Sequence, residues 1–281
     1  MTDTHVHIWN FERARYTWLD NNTTILNRNY LIEELEPERK SAGITKGVLV
    51  QAANTLEETA YMLEVAYQTD WIKGVVGWLP LMDTKATEKI LSAHYIHESY
   101  LKGIRHLIHD EPDSRWLLQK EVMESLQLIA DYKLTYDVVG ILDEHLRCAI
   151  AVAEKIPSLK LVLDHLNHPM INQPLTSTNW YYLMKEAAKH PNIFVKISGL
   201  GTCIENASLT VENTTPYIAF ALETFGTDRC ICGGDWPVSL LANSYTKIWH
   251  IYTTVLAALL DREGLKKVYN DNAANFYKLD T

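Results

Sequence analysis

Eight short apolar runs, each followed by an amphipathic stretch, constrain this chain more than any other feature. The runs are DTHVHIW (3–9), GVLVQ (47–51), VVGWLP (75–80), GIRHLI (103–108), TYDVVG (135–140), LVLDHL (161–166), FVKISGL (194–200) and CICGGDW (230–236). They have the length and apolar bias of buried strands. Between them, 56–68, 87–101, 118–132, 143–155, 180–190, 211–225 and 245–260 carry apolar residues at helical spacing. Residues 30–41 supply a first crossover helix limited by Pro37, and 264–277 supply a closing helix. No linker, low-complexity tract or internal repeat divides the chain, so residues 1–281 read as one domain. The alternation predicts an α/β fold, a parallel (β/α)8 TIM barrel. An open doubly wound sheet is the competing architecture. It would usually carry a glycine-rich phosphate turn after an early strand, and no GxGxxG occurs here.

Charge and hydropathy narrow the partners. The formal net charge is -9 and no long basic block occurs, which disfavours a nucleic-acid partner. The longest apolar stretch, 248–260, is too short to span a bilayer and contains His250, so no membrane role is expected. The first strand begins at residue 2 or 3 and leaves no room for a secretory signal, which points to a cytoplasmic protein. The four cysteines, Cys148, Cys203, Cys230 and Cys232, are then expected to be free and buried. Cys230 and Cys232 alternate with Ile231, so both thiols should face helices, away from Asp235.

In such a barrel the chemistry lies at the C-terminal ends of the strands and in the loops after them. Side chains two apart on a strand share a face. Asp3, His5 and His7 therefore share one face of the first strand, with Thr4, Val6 and Ile8 on the other. An HxH pair on a strand can hold one metal ion. The plainer alternative is two histidines satisfied by hydrogen bonds in the barrel mouth. Asp235 ends the eighth strand in GGDWP, next to the first strand in a closed barrel. It can ligate a metal, deprotonate water, or cap the turn before Pro237. His165 shares its period-two face with Leu161 and Leu163 and is expected to point inward, with Asp164 pointing away.

Arg105 and His106 are adjacent, so only one should enter the barrel directly. Arg105 suits a carboxylate or carbonyl and His106 acid–base work. Lys196, a strand lysine within FVKIS, needs an ion partner or a substrate; Asp137 and Ser198 are further inward candidates. Gln51 and Trp78 are placed to shape the pocket, and His168 lies in the loop before Pro169, as a site residue or a solvated one. The loops 10–29 and 200–209 are candidate substrate-contacting segments, with Arg13, Arg15 and Trp18 either there or on the surface.

HVHIW at the start, GIRHLIHDEPDSRWLL, LVLDHLNHP, VKISGL and GGDWPVSLL stand in the order found in the amidohydrolase superfamily. From residue 2 to about 277 the chain resembles the amidohydrolase-2 branch, which contains sugar lactonases and pyrone-dicarboxylate lactonase. The resemblance implies a (β/α)8 barrel that hydrolyses a lactone or a similar carbonyl compound. It maps the site to His5, His7, His165 and Asp235, with Arg105 and His106 near the substrate. Two motifs depart from the branch: DHLNHP stands where DHLGKP is common, with Asn167 and with His168 at a lysine position, and GGDWP replaces GSDWP, with Gly234 for the serine. Metal use varies in the superfamily, from one or two divalent ions to none in some lactonases of this branch. No bridging lysine or glutamate at a strand end argues for two metals.

The resulting expectation is a lactonase, acting on a sugar aldonolactone through an activated water. Asp235 serves as base, and His165 with Arg105 or His106 stabilises the oxyanion. Arg105, His168, Trp78 and Lys196 contact substrate. His5, His7 and Asp235 hold one divalent ion, zinc first, with metal-free catalysis as the alternative. Homo-oligomerisation is left open. Competing readings are a decarboxylase of the same superfamily, a TatD-like metal-dependent nuclease, and a non-catalytic sugar-acid binding barrel.

Overall fold

The computed structural model describes residues 1–95, 97–204 and 208–279. Eight parallel strands lie in chain order in one sheet: β1 (Thr2–Val6), β2 (Lys46–Val50), β3 (Ile72–Gly77), β4 (Leu101–His106), β5 (Thr135–Val138), β6 (Leu161–Leu163), β7 (Ile193–Ile197) and β8 (Cys230–Cys232). The ring closes where β8 meets β1. Asp235 N donates to the His5 carbonyl at 2.8 Å, His7 N donates to the Trp236 carbonyl at 2.7 Å, and Val6 pairs with Trp236 in parallel. Gly233 allows this seam: a Cβ there would stand 2.6 Å from the His5 Cβ. The barrel expected from the strand–helix alternation is the fold observed.

Helices α1 (Ile32–Ser41), α2 (Leu56–Gln68), α3 (Thr84–Ile90), α4 (Lys120–Asp131), α5 (Asp143–Lys155), α6 (Asn179–Ala187), α7 (Val211–Phe225) and α8 (Tyr245–Leu259) follow the successive strands. Local chemistry starts several of them. Thr55, Asp83, Thr210 and Ser244 each accept a hydrogen bond from the backbone three residues on, satisfying an orphan amide of the first turn. Pro37 is accommodated within α1. The helix expected over 87–101 is shorter: α3 passes into a π turn at Leu91–Tyr95, and Leu101 already belongs to β4. The closing segment divides into α9 (Arg262–Lys266), a π turn (Lys267–Asp271) and α10 (Asn272–Tyr277).

Strand alternation produces two apolar clusters. Leu49, Val75, Ile104, Val138, Leu161, Leu163, Val195, Cys230 and Cys232 join the large layer between sheet and helices. Val48, Val50, Val76, Val162 and Ile231 form a separate cluster inside the barrel with Ala273, Phe276, Tyr277 and Leu279. The last helix therefore plugs the N-terminal end of the ring. All four cysteines are free and buried, and those of β8 face the helices as expected. Among the described residues no helix is long and apolar enough to cross a membrane.

Candidate active site

Above the valine layer the interior of the barrel becomes ionic. On β5, Asp137 is buried between Tyr136 and Val138, which face outward. On β7, Lys196 is fully buried; its Nζ donates to Asp137 Oδ2 at 2.6 Å and lies 2.9 Å from Asp164 Oδ1. Arg105 enters from β4 and donates to Asp164 Oδ2 at 3.0 Å, to Gln51 Oε1 at 3.3 Å and to the Gln51 carbonyl. From below, the hydroxyl of Tyr277 in α10 donates to Asp137 at 2.7 Å. The two cations and nearby His5 hold Asp164 well below the usual carboxylate range despite its burial.

This ionic layer supports His5. Its Nδ1 lies 3.4 Å from Asp164 Oδ1 and 3.2 Å from Lys196 Nζ. Its Nε2 faces Arg105 Nη1 at 3.2 Å and can accept from it. The Nδ1 of His7 donates to the Val50 carbonyl at 2.7 Å, which leaves its Nε2 as a lone pair too. The two Nε2 atoms stand 3.1 Å apart. Burial pushes His5 well below its usual pKa and lowers His7 as well, so both rings are neutral. Asp235 Oδ1 lies 3.4 Å from His7 Nε2, 3.7 Å from His5 Nε2 and 3.9 Å from His165 Nε2.

Backbone geometry aims the last two groups. Asp235 has φ 58°, a left-handed conformation after Gly233–Gly234. His165, Leu166, Asn167 and His168 have φ values of 54°, 51°, 54° and 55°, an unbroken left-handed run. Such conformations are costly for non-glycine residues and need a surrounding scaffold. Here Trp180 Nε1 donates to the Leu166 carbonyl at 2.7 Å, and His165 Nδ1 pairs with Ser198 Oγ at 2.9 Å. The His165 ring also packs on Gly199, where any Cβ would overlap it.

These groups open into a cavity of about 190 Å³ at the C-terminal end of the ring, lined by His7, Arg105, His109, His165, Thr202 and Asp235 with Trp18, Ala52, Leu107, Val139 and Val238. His5, His7 and Asp235 each offer one ligand atom, all within 4.8 Å of one another. Two neutral imidazoles and a carboxylate suit a divalent transition metal; the Val50 carbonyl orients the His7 ring, and Asp164 stands 3.4 Å from His5 Nδ1. The buried charges fit as well. Arg105 and Lys196 face Asp137, Asp164 and Asp235, an excess of negative charge that a cation would offset.

Several expectations need correction. Period-two counting set Asp164 outward and His165 inward, but Leu161 and Leu163 face the helices, so Val162 and Asp164 face inward. His165 reaches the cavity through its left-handed turn. His106 does not line the cavity. Arg105 takes the inward position of β4, and His106 stacks on Trp116 with ring centroids 3.9 Å apart. Its Nε2 pairs with Glu111 at 2.7 Å, and its Nδ1 accepts from Trp78 Nε1 at 2.9 Å. Trp78 is therefore tied to His106 and does not border the cavity. Lys196 lies beneath the site with ion partners and no access to a ligand. His168 lines a neighbouring hollow with Ile141, Met170 and Thr202.

Asp3 acts as support, not as a ligand. Its carboxylate accepts from His5 N at 2.9 Å, Gly234 N at 2.8 Å and Tyr245 Oη at 2.7 Å, fastening β1 to the loop after β8. Arg13 and Arg15 pair with Glu64 and Asp20 at the surface, whereas Trp18 reaches the cavity. Part of the loop 200–209, residues 205–207, lies outside the described residues; Thr202 borders the cavity. Sequence reasoning missed His109, three residues beyond His106 in the loop after β4. Its position in a βα loop was the available signal.

Residues 2–279 match the model of the amidohydrolase family. The chain belongs to that family. This amidohydrolase is a hydrolytic enzyme. It is similar to an L-fucono-1,5-lactonase of Burkholderia ambifaria, with 30% identity covering 99% of this chain and 95% of the relative. It is also similar to an L-rhamnono-gamma-lactonase of Scheffersomyces stipitis, with 21% identity covering 99% and 98%. A crystal structure of an amidohydrolase from Burkholderia multivorans with bound zinc superposes with a TM-score of 0.90, at 27% identity and 99% coverage of both chains.

Proposed function

We propose that this amidohydrolase opens a sugar aldonolactone by attack of water on the ring carbonyl. The observation that carries the reading is the convergence of Asp235, His7 and His165 on one cavity, with His5 buried against them. Asp235 takes the proton of the attacking water and returns it to the ring oxygen as the acyl C–O bond breaks. Losing such a base typically costs roughly 10²–10⁴ in rate. His165, fixed by Ser198, faces the oxyanion that develops on the carbonyl oxygen, and Arg105, whose N–H groups are engaged by Gln51 and Asp164, contributes its positive charge from the cavity wall. His5, His7 and Asp235 are the residues that would hold a zinc ion, whose chemistry would be to polarise a carbonyl or lower the pKa of a bound water.

The lining favours an uncharged substrate. Among the described residues bordering the cavity, Arg105 is the single Lys or Arg, and Gln51 and Asp164 already occupy its guanidinium. A dicarboxylate would lack a free cation to meet it. Trp18, Leu107, Val139 and Val238 offer apolar surface to the carbon face of a sugar ring. The relatives named for L-fucono- and L-rhamnono-lactones support the same substrate class.

The test is a pH-indicator screen of neutral aldonolactones against dicarboxylic lactones. Turnover confined to the dicarboxylic compounds, or absent throughout, would refute the assignment. The metal has its own test: chelation followed by elemental analysis and assay. One zinc per chain and activity lost on its removal are expected; full activity in metal-free protein removes zinc and leaves the lactonase reading standing.

A further inference from the structure

The imidazoles at the site differ in how far they are committed. His7 and His165 each engage one ring nitrogen with the protein and turn the other toward Asp235. His5 is enclosed by Arg105, Lys196 and Asp164. His106 has both nitrogens bonded and stands outside the cavity. Among the described residues bordering the cavity, His109 alone carries a buried ring nitrogen, Nδ1, that completes no hydrogen bond, its ring lying against the Val139 backbone. Its Nδ1 is buried without a partner, and its Nε2 is 3.6 Å from Asp110. Several other buried polar atoms lack partners, including Tyr16 Oη, Tyr136 Oη and Trp249 Nε1, but none of those residues borders the cavity.

A buried polar group left without a partner costs stability unless a ligand supplies one. Other polar groups on the wall are spent within the protein. The hydroxyl of Thr202 donates to the Gly199 carbonyl at 2.8 Å, and Arg105 is held by Gln51 and Asp164. We propose that His109 is a specificity-determining residue that hydrogen-bonds a hydroxyl of the sugar lactone, away from the scissile bond. Its loop favours such a role. Residues 108–110 form a short 3₁₀ turn directly after the strand that places Arg105, so the ring is presented from a fixed edge of the cavity. Burial lowers the His109 pKa, and a neutral imidazole can both donate and accept.

The proposal rests on the lactonase reading, and its test separates the two. Steady-state kcat/KM is measured for wild-type protein and His109→Leu on one aldonolactone and on each of its singly deoxygenated analogues. Sites built to bond a hydroxyl reject analogues lacking it strongly. One analogue is expected to cost the wild type at least about 30-fold, and to cost His109→Leu less than about 3-fold, because the partner is already gone. His109→Gln, which keeps a donor and an acceptor, should restore part of the discrimination. If every analogue costs variant and wild type the same factor, His109 reads no hydroxyl and the proposal fails. If wild-type protein turns over no lactone, the functional reading fails with it. Should the leucine variant not fold by thermal melting, His109→Phe, a ring of similar shape with no hydrogen-bonding nitrogen, takes its place in the same cycle.

Discussion

The two ends of the barrel interior are built on opposite principles. At the N-terminal end, Val48, Val50, Val76, Val162 and Ile231 close around Phe276 and Tyr277 of the last helix and Leu279 just after it. At the C-terminal end the same ring turns inward Arg105, Asp137, Asp164, Lys196, His5 and Asp235. The lower layer gains from burying apolar surface, and apart from the Tyr277 hydroxyl its side chains carry no atom that needs a partner. The upper layer buries charges whose desolvation is repaid only while every partner is present. Stability is thus supplied at one end and chemistry at the other. Tyr277 touches both, since its ring joins the apolar cluster while its hydroxyl bonds Asp137.

This contrast can be broken by substitution. Asp235→Asn should show the largest effect, a fall in kcat of about 10²–10⁴, with the urea midpoint nearly unchanged. Near-normal turnover would remove Asp235 from the base role. Next, Lys196→Met leaves Asp137 and Asp164 facing each other without their shared cation. It should cost about 3–5 kcal/mol in urea unfolding. Phe276→Ala, at the apolar end, should cost about 3 kcal/mol by the cavity it opens, while folded protein keeps its kcat. If Phe276→Ala lowers kcat as far as Asp235→Asn does, the two ends are not separable.

The smallest effect concerns pH. Glu58 is fully buried and accepts from the backbone of Ala52 and Ala53 at the cavity wall. Desolvation pushes its pKa up to about 8. The folded state then holds a proton that the unfolded state releases near pH 4, so stability is full below that and falls as pH rises toward 8. The slope contributed is at most about 1.4 kcal/mol per pH unit. Glu58→Gln should flatten it in thermal melts between pH 5 and 8, and an unchanged slope would locate the dependence elsewhere.

Much of this was readable from residue order. The eight strands were legible because each is a short run dense in β-branched and other apolar residues, and Asp235 because GGDWP ends the last of them. His5 and His7 were legible because polar and apolar residues alternate from Asp3 to Ile8 except at Thr4, although β1 itself ends at Val6. Where strands are short, that counting fails. β6 has three residues, so the hydrophobic pattern could not say which face Leu161 takes, and the face of Asp164 was inverted with it. No local propensity announces four consecutive left-handed residues such as His165–His168. That run depends on Trp180, Ser198 and Gly199, which lie elsewhere in the sequence. His106 looked catalytic because it neighbours Arg105, and only the three-dimensional partners Trp78, Trp116 and Glu111 reveal a packed role.

The seam between β8 and β1 has one more consequence. His5 and His7 come from the first strand of the ring and Asp235 from beyond the last, so 228 positions separate His7 from Asp235 while their side chains lie 3.4 Å apart. Neither half of the chain holds enough of the site to work alone. Two fragments divided in the turn before β5 would carry the histidine pair on one piece and the aspartate on the other. Turnover in their mixture would then act as a built-in assay of assembly, appearing only when the pieces complete the ring.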